Sequence, residues 1–130
     1  MFVETDPLAA FITVLATGNR LRASADFSNT VRSGVRNGRR NVVLYAASTD
    51  PDEPTKVGFI VAKSVGNAVA RNLVKRRLRE AAAATVHAHP QGLNIVVRAL
   101  PASAGSQWPQ LLQDYQNACR KVLDRLAAGG

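Results

Sequence analysis

Apolar residues along this chain alternate between two periods, and the changes of period mark out the elements. Ser24 opens a first helix as its expected N-cap, with Asp26 in the first turn and Phe27 and Val31 spaced to share one face. Gly34 is expected to end that helix in a left-handed conformation. A short strand over Arg36–Arg40 would follow, and then a strand over Asn41–Ser48, rich in Val, Leu and Tyr. Thr49–Pro54 carries two prolines and three acids and reads as a turn, which would make Val57–Lys63 the antiparallel neighbour of the preceding strand. A long helix begins near Asn67 and runs through Ala81–Ala84. Pro90-Gln91-Gly92 closes it, and Leu93–Leu100 forms the next strand around Ile95, Val96 and Val97. After a loop over Pro101–Gly105, Pro109 suits the first turn of a last helix. Its apolar stripe is Leu111, Tyr115, Ala118 and Val122, flanked by Leu112, Cys119, Leu123 and Leu126.

The element order is therefore αβββαβα, an α+β domain with a mostly antiparallel sheet of about four strands. A single domain over residues 19–128 suffices. Residues 1–18 form an atypical N-terminal extension, in which Pro7–Ala16 could make a short helix or stay loosely packed.

The long helix changes this picture from architecture to function. Six cations lie between Lys63 and Arg79, and at about 100° per residue Arg71, Lys75 and Arg79 stack at i, i+4 and i+8 beside Asn72 and Arg76. Ala70, Val74, Leu78, Ala81 and Thr85 fall on the other side, with Leu73, Arg77 and Glu80 on the flank. Stacked like charges repel one another, a cost that a bound polyanion removes. The whole chain carries 17 Lys and Arg against 9 Asp and Glu, net charge +8, which points the same way. A second cluster, Arg32, Arg36, Arg39 and Arg40, follows Phe27. A ring beside cations is the equipment for gripping single-stranded RNA, although a ring at Phe27 could equally belong to the core.

Other chemistry is thinly represented. Asp50, Asp52 and Glu53 sit on a Pro-rich turn, where a nuclease could not hold metal ions rigidly. His87 and His89 lack a cysteine or carboxylate beside them and make a poor metal site. The one cysteine, Cys119, excludes an internal disulfide and falls in an apolar register. No Ser-His-Asp grouping and no phosphate-cradling Gly-rich loop is present, so neither catalytic residues nor a protein metal site are predicted. No apolar run approaches the ~20 residues that span a bilayer, and Glu4 and Asp6 stand where a secretory signal carries positive charge, so a cytoplasmic protein with no membrane partner is expected.

The run Gly66-Asn67-Ala68-Val69-Ala70-Arg71-Asn72-Leu73-Val74-Lys75-Arg76-Arg77-Leu78-Arg79-Glu80, preceded by Lys63, resembles the signature of the bacterial ribonuclease P protein subunit. That signature reads G-N-A-V-x-R-N-x-x-K-R-x-x-R-E, and the resemblance extends from about Asn19 to the last helix. It implies a left-handed crossover in the strand–helix–strand unit, where the default is right-handed. It implies a protein, monomeric within a ribonucleoprotein, that binds ribonuclease P RNA and the 5′ leader of precursor tRNA. The RNA subunit would hold the magnesium ions and perform the cleavage. Lys63, Asn67, Arg71, Asn72, Lys75, Arg76 and Arg79 would then contact the RNA, with Arg71 and Arg79 near the leader. Phe27, Arg36 and Arg40 would line the leader groove between the first helix and the sheet. The sequence departs from the family pattern at Val31, where a second aromatic is common, at Ser64, often Lys, and at Leu73, often Arg. Two rival classes stay open from the residues alone: a general RNA-binding module, which would not stimulate tRNA maturation, and a protein-only nuclease, which would cut unaided.

Overall fold

The structure, a computed structural model, describes residues 17–129. Apart from Thr17 and Gly18, which begin a 3-10 turn, the expected extension lies outside the described residues. Three helices and four strands follow: α1 (Ser24–Ser33), β1 (Val35–Gly38), β2 (Val42–Ser48), β3 (Lys56–Ile60), α2 (Ala68–Ala88), β4 (Leu93–Ala99) and α3 (Trp108–Gly129). The fold is α+β in the expected element order.

The sheet order is β1-β2-β4-β3, with β1–β2 and β2–β4 antiparallel and β3–β4 parallel. β3 is thus not the neighbour of β2. The Ile95-Val96-Val97 run is fully buried and takes the interior place, as an apolar run covered on both faces should. The turn over Thr49–Pro54 instead lies against the end of α2, Thr55 N–H donating to Pro90 O at 2.9 Å.

Period-two alternation sends side chains to opposite faces. Leu44, Ala46, Val57, Ile95 and Val97 point to one face, where they meet Val74 and Leu78 of α2 and Leu111, Tyr115 and Val122 of α3. Val43, Tyr45 and Val96 point to the other, where Phe27 and Val31 of α1 pack with Leu21. The expected apolar stripes of α2 and α3 are the buried ones. α2 and α3 are also pinned by polar contacts, Thr85 Oγ1 lying 2.7 Å from Tyr115 Oη and 3.7 Å from Cys119 Sγ. Burial pushes both the Tyr115 phenol and the Cys119 thiol up, so Cys119 is a protonated core residue.

Two helix ends differ from expectation. Ala23, not Ser24, is the N-cap of α1, and no side chain caps it. Gly34 after α1 is extended, φ −80° and ψ 170°, so it is not a left-handed cap. Its requirement is space, because a Cβ there would stand 2.5 Å from Ala46 O and Thr30 O.

Candidate nucleic-acid interface

Lys63 does not end β3, which stops at Ile60; it is exposed in a 3-10 turn, Lys63–Val65. Gly66 follows at φ +157°, a backbone angle that disfavours a side chain, and it turns the chain into α2. Asn67 then caps α2, its Oδ1 accepting from the Ala70 N–H at 2.9 Å. The helix so started presents Asn72 and Arg76 exposed and Arg71, Lys75 and Arg79 half-buried. The Arg71 Nε is buried without a hydrogen-bond partner. Val69, 78% exposed, lies among these polar groups, an apolar side chain open to any partner that covers the face.

Arg77 leaves this ladder. It donates through Nη1 to Ser106 O at 3.3 Å and ties α2 to the segment leading into α3. Its guanidinium serves the fold, not the exposed cationic face.

The cationic face continues around β3. Arg20 and Leu21 run alongside β3, Leu21 N–H donating to Val57 O at 3.0 Å, which brings residues 20–22 beside α1 and α2. Arg20, Arg22, Phe27, Gly58, Lys75 and Arg79 border one depression of about 400 Å³. Lys75 and Arg79 also border the shallow surface that holds Asn72 and Arg76. The ring of Phe27, half-buried on Leu21 and Val96, is thus both part of the second core and the floor of a cation-rimmed groove. Arg71 is not among the groove's lining residues; Arg79 is.

Of the second basic cluster, Arg36 lies on the α1 side of the sheet with its guanidinium 5.9 Å from the ring centre of Tyr45, a cation–π distance. Register puts Arg36, Tyr45, Val96 and Gly58 in one row across the sheet, so Arg36 shares the face of Phe27. Arg40 does not join them. Arg39 N–H donates to Val42 O at 2.8 Å, closing the turn after β1, and Arg40 emerges on the α3 side beside Asp114.

Tyr45, Arg20 and Arg22 join this face although the sequence pattern did not single them out. Alternation of Val43 and Tyr45 with Val42 and Leu44 would have placed the tyrosine opposite the main core. Among the described residues no three His, Cys, Asp or Glu side chains gather as a metal site.

A family model described as "Ribonuclease P" matches residues 15–123. The chain belongs to the ribonuclease P protein family. A "Ribonuclease P protein component" of Pseudarthrobacter chlorophenolicus is 68% identical over 114 residues, covering 88% of this chain and 84% of that one. One from Kocuria rhizophila is 52% identical and covers 88% and 100%. The solved ribonuclease P protein of Staphylococcus aureus superposes with a TM-score of 0.69 at 27% identity, over 78% of this chain and 93% of its own. Family membership thus agrees with the signature on α2 and with the α+β architecture.

Proposed function

We propose that this chain is the protein subunit of ribonuclease P, binding the catalytic RNA and the 5′ leader of precursor tRNA and so assisting removal of the leader to form mature tRNA 5′ ends. The observation that carries this reading is the double duty of Lys75 and Arg79, which border both the exposed cationic face of α2 and the groove floored by Phe27. A structured RNA on α2 and a single strand on Phe27 would meet at these two residues.

Lys63, Asn67, Arg71, Asn72, Lys75, Arg76 and Arg79 form the face for the catalytic RNA. Their contacts go to phosphates and position the RNA without reading bases. Asn67 does so with its amide N–H, since its Oδ1 is occupied by the cap. Phe27 supplies a stacking surface for a leader base, and Arg36 extends the path along the sheet beyond it. Arg40 stands apart from this groove. Magnesium is assigned to the RNA subunit, because this chain offers cations where the phosphates would lie. Hydrolysis of the scissile phosphodiester is likewise assigned to the RNA. The working unit is one copy of the chain in a cytoplasmic ribonucleoprotein.

The test is cleavage of precursor tRNA at low magnesium with protein alone, RNA subunit alone and both together. Cleavage only in the mixture is expected. Cutting by protein alone would move the chemistry to this chain, and no stimulation in the mixture would leave a general RNA-binding module.

A further inference from the structure

Among the described residues Val69 is the one large apolar side chain left exposed, at 78%. It is the second residue of α2, and Leu73 follows one turn later, half-buried and joined to neither core. Side chains at i and i+4 are neighbours on a helix, so the two form one apolar patch. Val69 adds little to the fold, since it belongs to neither core and a β-branched residue is a poorer helix former than alanine. A lone exposed apolar residue needs no explanation. This pair does, because of what frames it.

Val69 and Leu73 border one shallow depression with Asn72, Lys75, Arg76 and Arg79. That border holds three cations and no carboxylate, so a partner that covers the apolar pair is anionic. It must also carry an apolar surface close beside its negative charges. Duplex RNA fails the second requirement, because its bases are stacked and its shallow groove shows hydroxyls and base edges. An unpaired nucleotide meets both, since a base turned out of the stack bares a flat face one sugar away from its phosphates.

We propose that the RNA seated on α2 presents an unpaired nucleotide, whose base covers Val69 and Leu73 while flanking phosphates pair with Lys75, Arg76 and Arg79. This rests on the RNA-binding reading of the face and adds the class of RNA element it takes, a bulge or loop and not an unbroken duplex. Every base has such a face, so the contact tolerates any base and agrees with phosphate contacts that position RNA without reading sequence.

The test uses the full chain and two RNA hairpins of equal length, one with a single unpaired adenosine in its stem and one in which that nucleotide lacks its base. The two carry the same phosphates and differ only in the base. The wild-type chain should bind the adenosine hairpin about fivefold more tightly, the scale of one buried methylene. Both should give the same slope of log affinity against log salt, because covering an apolar patch releases no counterions. In methyl NMR spectra the Val69 and Leu73 signals should move upfield, as protons over an aromatic ring do, with the adenosine hairpin alone. Val69→Ala, which favours the helix, should bring the two affinities together without weakening binding to the baseless hairpin. Equal affinities in the wild-type chain would overturn the proposal and leave the apolar pair to an acidic protein partner. A preference that survives Val69→Ala combined with Leu73→Ala would overturn it too, placing the base elsewhere, as on Phe27. No cleavage is measured, so RNA binding with the expected slope but no base preference would sink this proposal and leave the subunit reading standing.

Discussion

The ring of Phe27 occupies the space in which a side chain at Gly58 would stand. A glycine inside a strand weakens it, and β3 accepts that weakness so that an aromatic from α1 can lie directly on the sheet. The groove's floor is therefore set by two residues 31 positions apart, neither of them charged.

Gly58→Ala should displace the ring and cost ~1–3 kcal/mol of stability through overpacking. In the assembled ribonucleoprotein it should also reduce the preference for precursor over leaderless tRNA, as Phe27→Ala should by the ~1–3 kcal/mol typical of one stacked base. The ratio of the two dissociation constants reads this out. A ratio unchanged by Phe27→Ala would leave the ring as core only.

Cations on α2 should separate by role. Lys75→Ala and Arg79→Ala are each expected to weaken RNA binding and lower the slope of log affinity against log salt by roughly 0.7–0.9. Arg77→Ala should leave the slope alone and instead lower the melting temperature, because its partner is Ser106 O. Equal slope changes for all three would show Arg77 on the RNA as well.

Asn67→Ala removes the cap of α2 and should cost ~0.5–2 kcal/mol of stability, whereas Asn67→Ser should retain most of it. Denaturant midpoints of the two variants make the comparison. If Asn67→Ser weakens RNA binding at full stability, the amide N–H also touches a phosphate.

Alkaline pH should destabilise the fold through the buried pair on α3. Burial raises Cys119 above its ordinary 9.0 and Tyr115 above its ordinary 10.0. From about pH 9 upward the unfolded chain releases protons that the folded chain keeps, so stability falls as pH rises and is unaffected below. Cys119→Ala should flatten the onset of that fall. Iodoacetamide should label the native thiol only as fast as the chain opens; rapid labelling at neutral pH would contradict its burial.

Much of this was legible because local pattern and burial agree. Val74, Leu78, Ala81 and Thr85 recur at helical spacing and all are buried, and so do Leu111, Tyr115, Ala118 and Val122. Strand partnership was not legible. The acidic turn before Thr55 looks like a hairpin loop, and only the two-sided burial of Ile95–Val97 shows that β4 enters between β2 and β3. Arg40 misled for a similar reason. It is close in sequence to Arg36, but the turn closed by Arg39 and Val42 sends it to the opposite side, which no count of neighbouring charges reveals.

The place of β4 also orders events in time. When the ribosome has made residues up to 60, β3 has been synthesised but its only strand partner among β1, β2 and β4 lies more than 30 residues further on. The hairpin of β1 and β2 can form early, yet the sheet cannot close, nor α2 find its seat, until residues 93–99 have left the exit tunnel. Pairings of such separation fold slowly. During synthesis, then, the most cationic stretch of the chain is made before the strand that completes its scaffold.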